Sequence, residues 1–293
     1  MIKCAADIAE AYNEGGYHVQ PFYKVWASTF NTANAWFDGT LSGNLPRASY
    51  YAGDDLVFTP YPVKPDPLRP TEEYNHLSFF HGGSVSPAQK ILRTINLHGS
   101  AAGLAPSRYI LCDYLGFAGG ISWETNEEQV IDNTFTLPRY TDGKGVQAVM
   151  VQLFGSNANA VYTINYRNTN DVDVTSPNIT ANALGTGGLQ HGQTTATYEP
   201  FINLAKGELG IKRVNSVTVS SLGAGIAVLV LVKPIAEIIY RDATLFAPAE
   251  VDFLTDKFET PIIYDGAKLN FLMTGSANPA GLLTRGYMEF IWT

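Results

Sequence analysis

The chain has 293 residues and a net charge of −8, and 16% of its residues are charged against 45% that are hydrophobic. An acidic chain without a cluster of Lys and Arg lacks the basic surface that nucleic-acid binding needs, which excludes direct binding of DNA or RNA. The two cysteines, Cys4 and Cys112, exclude a disulfide framework and indicate folding in a reducing cytoplasm.

The N-terminal part combines a short helix with a dense group of aromatic side chains. Ala5–Asn13 is predicted to be helical and to end at Gly15 and Gly16. The segment Tyr17–Phe37 that follows is rich in aromatic residues but has little helical or strand period. Aromatic side chains dominate interfaces and also fill cores. This segment is therefore predicted to be either an arm that packs on another surface or a lid over the chain's own core.

The next part of the chain is predicted to contain an extended connector and a helix. Thr59–Pro70 is rich in proline, which excludes a helix or a central strand and predicts a stiff connector. Ser86–Leu97 has the best amphipathic helical pattern, with Ser86 as its N-cap. Ser107–Leu115 is apolar and fits either a helix or a strand.

A polar, acidic segment, Gly119–Asp132, is predicted to separate two parts of the chain. Residues 1–132 are expected to form a mixed, partly helical and extended anchoring region. Residues 133–293 are expected to form an antiparallel β-sandwich of jelly-roll type, because short β-branched and aromatic runs alternate with turn residues and no βα alternation occurs. These runs are Gly145–Phe154, Ala160–Tyr166, Ser216–Ser220, Gly225–Lys233, Ala267–Thr274 and Gly286–Trp292. The predicted fold class is therefore mainly β.

The pattern within these runs predicts which side chains are buried. Ala160–Tyr166 alternates apolar and polar residues, as a half-buried strand does. Gly225–Val232 is apolar on both faces, which predicts a central strand. In the last run, Gly286–Trp292, the alternation of side chains puts Met288, Phe290 and Trp292 on one face, which predicts that Trp292 is buried. The Gly-, Thr- and Gln-rich residues 182–195 are predicted to form a long surface loop.

The sequence predicts no catalytic, cofactor-binding or metal-binding residue, and hence no enzyme. Its histidines have none of the spacings of a zinc site: they are His18, His76, His81, His98 and His191. His81–Ser84 is similar to the HGG loop of some esterases, but no G-x-S-x-G elbow accompanies it, which favours a flexible turn. Asn168–Asp173 offers oxygens to Ca²⁺ without the Gly and terminal Glu of an EF-hand loop, which favours a plain Asn/Asp turn.

The sequence also bears on localisation. No apolar region of the secretory type follows Lys3, so no secretion signal is expected. The longest apolar run, Gly225–Val232, is far shorter than the about 20 residues that span a bilayer. We therefore expect a protein that is made in the cytoplasm and does not enter a membrane.

Several phrases of the chain resemble a group of tailed-bacteriophage proteins. Their order and spacing cover most of residues 137–271. The phrases are Leu137–Gln147, Ala160–Asn168, Glu199–Leu204, Gly210–Val219, Ala227–Pro234, Pro248–Leu254 and Ile263–Phe271.

The resemblance implies a structural protein of the virion and brings no active site with it. Within that class, a sandwich of this size implies a capsid cement or decoration protein, often a trimer, that binds the major capsid protein or other virion proteins. Tail, neck and baseplate subunits also use such sandwiches. On this interpretation residues 1–70 dock on neighbouring subunits, and a chain that begins near Leu77 is expected to fold without them.

Other functional classes stay open at this point. A receptor- or carbohydrate-binding module, such as a fibre tip, would present aromatic side chains on loops, with Tyr162, Tyr166 and Tyr198 as candidates. A hydrolase would need a nucleophile–base pair, for which the sequence offers no pattern. The low charge fits a surface covered by neighbouring subunits and equally an ordinary all-β domain.

Overall fold

The computed structural model of the chain is mainly β. It describes residues 5–26, 32–41, 56, 58–60, 78–99, 106–132, 134–154, 160–182, 184, 186–190, 199–241, 248–257, 260–275 and 280–293. The predicted helix is confirmed as α1, Ala5–Asn13. It ends where the chain turns at Gly15, whose φ of 74° suits a residue without a side chain.

The described strands form three sheets, in which all the pairs between named strands are antiparallel. Sheet A has the order β1 (Tyr17–Val25), β16 (Leu283–Ile291), β4 (Lys90–Gly99) and β13 (Ala249–Asp252), with β14 (Ile262–Ile263) also on β4. Sheet B has the order β2 (Trp36–Asp38), β15 (Leu269–Gly275), β5 (Ser107–Ser122), β12 (Ile226–Tyr240) and β7 (Gln147–Phe154), with β3 (Phe58–Pro60) also on β5. Sheet C has the order β10 (Ile179–Thr180), β8 (Val161–Asn168), β11 (Ile211–Ser221) and β6 (Glu128–Val130), with β9 (Asp173–Thr175) also on β8.

Residues 187–190 close sheet B into a ring by joining its two outermost strands. On one side, Leu189 N donates to Trp36 O at 2.9 Å, in β2. On the other side, Gln190 N donates to Met150 O at 2.7 Å and Gly188 O accepts from Gln152 N at 3.0 Å, both in β7. The prediction of a surface loop is therefore wrong for the described part of residues 182–195. A short segment that satisfies its backbone on both sides can be buried without unpaired polar groups.

The inside of the ring is filled by apolar side chains, which we call the interior cluster. They include Trp36, Ile110, Cys112, Tyr114, Phe117, Val149, Val151, Leu189, Val228, Val230, Val232 and Leu272. Asp38 is fully buried beside them, and its carboxylate accepts hydrogen bonds from Tyr114 Oη at 2.8 Å, Thr40 N at 2.9 Å and Thr40 Oγ1 at 2.7 Å. Several donors thus compensate for the lost hydration of this buried charge.

The outside of the ring carries the other two sheets side by side. Sheet C covers the part of β12 that contains Leu229 and Leu231, whereas sheet A covers the part that contains Ile238 and Tyr240. The pairing of β12 with β5 shifts register between Pro234 and Ala236. Odd-numbered residues of β12 face outward before this irregularity, and even-numbered residues do so after it. The outward face therefore stays apolar along the strand, and the two long strands β5 and β12 contribute to both apolar layers.

The helix predicted over Ser86–Leu97 is wrong, because the segment contains strand β4. Ile91 faces the helix α1, whereas Leu92 and Ile95 face the core beneath sheet A. The ladder with β16 shifts register around Arg93, which changes the side-chain alternation. Apolar residues at positions 91, 92 and 95 consequently imitate a helical period.

Several strand predictions are confirmed. β8 alternates buried and partly exposed residues along its whole length. β12 lies between β5 and β7 with residues 227–232 buried on both faces. Ser107–Leu115, left open between helix and strand, lies within β5. The prediction that Trp292 is buried is wrong: the residue follows the end of β16 and is only partly buried.

Strands from both sides of residue 132 occur in every sheet. β1 pairs with β16, β5 pairs with β12, and β6 pairs with β11. The predicted boundary segment Gly119–Asp132 itself contains the end of β5 and all of β6. The N-terminal aromatics are divided: Trp26, Trp36 and Phe37 are buried in the chain's own core, whereas others stay exposed. Residues 61–70 of the proline-rich connector lie outside the described residues.

Candidate interface on the outer face of sheet A

A row of apolar side chains along β1 points away from the core. Phe22 faces inward with 8% exposure, and the odd-numbered residues therefore face outward. The exposed fractions are 45% for Tyr17, 43% for Val19 and 55% for Tyr23. We call these three residues with Pro21 the β1 row. It runs along the edge of sheet A and is exposed to solvent along its length.

The helix α1 covers the part of this face next to Tyr17. Ala11 packs on Ile91 and Ile291, and the rings of Tyr12 and Tyr17 lie 5.0 Å apart. Tyr12 Oη donates to Glu289 and accepts from Arg93. Burial, reinforced by Glu289, raises the pKa of Tyr12 to about 12. The helix is thus fixed at one end of the face and leaves the rest of the β1 row open.

The free edge of β1 is unsuited to the addition of another strand. Trp26 N donates to Leu282 O at 2.9 Å and Trp292 N donates to Gly16 O at 2.8 Å, so the even-numbered residues bond to β16. The odd-numbered residues therefore direct their backbone groups outward, and Pro21 has no N–H to offer. Its carbonyl already accepts from Gln20 Nε2 at 2.7 Å. Proline at an edge strand blocks pairing, so a partner would meet the face rather than the edge.

The outer face of sheet C is different in chemistry. Arg167 and Asp173 form a bidentate ion pair at 2.9 and 2.6 Å, and Asn215 Nδ2 donates to Asn165 Oδ1 at 2.7 Å. Its exposed apolar residues include Val130 on β6 and Val172, which lies in the turn that leads into β9. Side chains of this kind are usual on a sheet face that water covers. The outer face of sheet A away from β1 carries similar bonds, such as those of Arg93 with Asp252 and Glu289 and of Asn96 with Glu250. The β1 row is therefore an apolar edge beside a polar sheet face.

The His81–Ser84 segment forms a structural anchor rather than an esterase-like pair. Ser84 Oγ donates to Asp265 Oδ2 at 2.6 Å, not to His81. His81 Nδ1 lies 2.9 Å from Lys90 Nζ, and its Nε2 lies 3.2 Å from Ala267 O. A lysine donates, so the Nδ1 atom accepts and the proton sits on Nε2. Burial, with the nearby Lys90 charge, lowers the pKa of His81 to about 4.

The protonation of His81 is expected to weaken the fold in acid. The folded pKa of about 4 lies below the ordinary value of 6.5, so between these values only the unfolded chain takes up the proton. Stability is then lost as the pH falls, by about 3 kcal/mol in total across this window. Urea unfolding at pH 7 and pH 4.5 should show this loss, and the variant His81→Gln should show a smaller one.

The control is the original chain, unfolded at the same two pH values. Equal pH dependence in the original chain and in His81→Gln would contradict this assignment.

A buried ion pair lies between the apolar layers under sheets A and C. Asp113 is fully buried on β5, and Arg139 donates to it through Nε at 2.6 Å and Nη2 at 2.7 Å. The backbone N of Lys268 donates to the same carboxylate at 2.7 Å. Burial raises the pKa of Asp113, and its bonds with Arg139 oppose that rise. The pair satisfies its own charges and leaves no carboxylate oriented toward solvent.

An open cleft lies at one mouth of the ring. Its volume is about 200 Å³, and it is lined by Ile110, Glu199, Phe201, Pro234, Ile235, Ala236 and Glu237. Arg108 spans its acidic side, with Nε 2.5 Å from Glu237 and Nη2 3.0 Å from Glu199. The guanidinium also lies over the ring of Trp36, 5.2 Å from its centroid. The charged groups of the cleft are thus bonded to each other.

The other residues considered from the sequence do not form a site. Asp171 accepts from Lys212 Nζ at 2.8 Å, which occupies one acid of the possible Ca²⁺ loop. Among the described residues, no group of three or more His, Cys, Asp or Glu is placed to hold a metal ion. Tyr162 and Tyr166 are fully buried, so their rings are not available to a sugar as those of binding-loop residues would be. Tyr198, His76, His191 and Cys4 lie outside the described residues.

The comparisons with known proteins return no relative. No family model, no curated protein and no solved structure matches this chain. Within the described part of the chain, none of the helical segments is long and apolar enough to cross a membrane.

Sequence reasoning recognised the aromatic density of Tyr17–Phe37 but not its division into two faces. The alternation of Tyr17, Val19, Pro21 and Tyr23 with His18, Gln20, Phe22 and Lys24 carries the strand period of 2. Aromatic residues on both faces concealed it. The signal that could have found the β1 row was therefore present in the spacing.

Proposed function

We propose that the chain is a non-enzymatic structural protein of a bacteriophage virion, most similar in role to a capsid cement or decoration protein that stabilises the shell. The observation that carries the proposal is the β1 row, an exposed apolar face on a rigid, many-stranded scaffold. Exposed apolar patches of this kind are typical of protein–protein contact sites. The phage-like phrases of the sequence give the proposal its biological setting.

The state of the buried polar groups supports a role without turnover. His81 is held by Lys90 and Ala267, and Asp113 is held by Arg139. A catalytic base or nucleophile needs free access to a substrate and a partner group within reach. These clusters connect strands and loops instead, which suits a protein whose task is mechanical.

The finer features of the proposal follow the resemblance. The protein would act as a homo-oligomer, a trimer, bound to the major capsid protein or to other virion proteins, without direct contact to nucleic acid or membrane. It would be made in the host cytoplasm and end in the virion. The jelly-roll-like sandwich expected for residues 133–293 would be completed by strands from residues 1–132, which take part in every sheet.

A tail, neck or fibre subunit with a receptor- or carbohydrate-binding role is the second candidate. The exposed rings of Tyr17 and Tyr23 favour it, since aromatic side chains with a polar tip bind amphipathic partners well. Their position on a sheet face rather than on loops makes it the weaker of the two.

Mass spectrometry of purified particles separates these candidates. A copy number close to that of the major capsid protein is the result expected for a shell protein. A copy number that corresponds to a single ring or a single set of fibres per particle would instead favour the tail or neck. Absence of the protein from particles would overturn both.

A further inference from the structure

We propose that the β1 row binds the β1 row of a second copy of this chain, face to face and in antiparallel orientation. The proposal deepens the proposed assembly role by naming one partner surface. It concerns a contact that the isolated protein can make, so it can be tested without any particle.

The charges at the two ends of the row are of opposite sign. Arg285 stands beside Tyr23 in the β1–β16 ladder and is exposed. At the other end, Glu14 is exposed three residues before Tyr17, and Glu10 is exposed on α1, where its carbonyl accepts from Glu14 N at 2.9 Å. The ion pairs found among the described residues include none of these three side chains. Both ends of the row therefore offer an unused charge.

The spacing of these charges fixes the orientation. Tyr17 and Tyr23 are six residues apart on one strand, which separates the ends by about 20 Å. An antiparallel arrangement places Arg285 of each copy near Glu10 and Glu14 of the other. A parallel arrangement would bring like charges together at both ends, which is unfavourable. A surface that is complementary to itself in this way suits a two-fold contact.

The face is suited to this contact and the edge is not. Pro21 interrupts the outward row of N–H groups, so two β1 strands cannot join into one continuous sheet. Tyrosine rings give large contact area at low cost in side-chain entropy, as interface centres require. A two-fold contact of this kind can join neighbouring oligomers, and a three-fold contact would use another surface.

The test is sedimentation velocity of the full chain over a range of concentrations up to about 100 µM, since a small interface of this kind gives micromolar affinity. We expect reversible association of the original chain. Tyr23→Glu should abolish it. The matched control is Val172→Glu on the sheet C side, because Val172 is 54% exposed and Tyr23 55%. It should associate like the original chain.

Charge exchange tests the orientation separately. Arg285→Glu and Glu14→Arg should each weaken association about tenfold, and the double variant should restore it. Circular dichroism confirms that each variant is folded. A chain that stays monomeric throughout would overturn the contact, and so would association that Tyr23→Glu leaves intact. Association without rescue by the double variant would overturn the antiparallel geometry. Neither result bears on whether the protein is found in particles.

Discussion

Replacing Arg139 with methionine is expected to lower the free energy of unfolding by about 3–5 kcal/mol, because it leaves a buried carboxylate without its cation. The side chain of Asp113 has no exposed surface, and that of Arg139 is 11% exposed. Two short bonds join them. Methionine keeps most of the aliphatic volume of arginine, so the loss of stability would measure the effect of the unpaired charge rather than that of a cavity.

Urea unfolding of Arg139→Met measures this loss, and two further variants interpret it. Arg167→Met breaks the bidentate pair with Asp173 on the outer face of sheet C, where water replaces the lost bonds, and should change stability little. The double variant Asp113→Leu/Arg139→Met removes both charges and should recover much of the loss. Equal losses in the Arg139→Met and Arg167→Met variants would contradict the importance of burial.

A truncated chain that starts at Ser78 is expected to lose the fold altogether. It lacks β1, β2 and β3, and with them the buried side chains of Trp26 and Trp36. Sheet A loses one of the two strands that pair with β16, and the ring of sheet B loses β2, one of the two strands that residues 187–190 join. The expectation that such a chain folds independently is therefore replaced by the opposite one.

Near-ultraviolet circular dichroism and urea unfolding check this result. A chain that starts at Gly15 is the control, since it lacks only α1, which packs on Ile91 and Ile291 at the periphery. It should keep a cooperative transition with lower stability. If the chain that starts at Ser78 unfolds cooperatively, and its free energy of unfolding falls as steeply with urea concentration as that of the full chain, the first strands are dispensable.

Strands with a regular side-chain pattern could be predicted from the sequence. The prediction failed where the backbone departs from that pattern. β8 and β12 were predicted because period 2 and a continuous apolar run are local signals. β4 was mistaken for a helix because an extra residue at Arg93 breaks the alternation. Residues 187–190 were mistaken for a surface loop because their burial depends on two strands that lie far away in the chain.

The polar clusters were beyond prediction for a related reason. Asp113 and Arg139 are separated by 26 positions, and Arg139 lies outside the strands. Nothing local marks them as partners, since Arg139 lies in the segment between β6 and β7 and meets β5 only in the folded chain. The β1 row was within reach of the sequence, but its exposure depended on which of two aromatic faces turned inward.

The pairing of the first strand with the last has a consequence for biosynthesis. Val25 pairs with Leu283, so β1 lacks its strand partner until residue 283 has left the ribosome. At about 5–20 residues per second, that interval is roughly ten to fifty seconds. During it, the apolar faces that carry Trp26 and Phe22 stay open to chance encounters. Long-range closure of this kind makes folding slow and delays it until after translation. The nascent protein is therefore a natural client for chaperones.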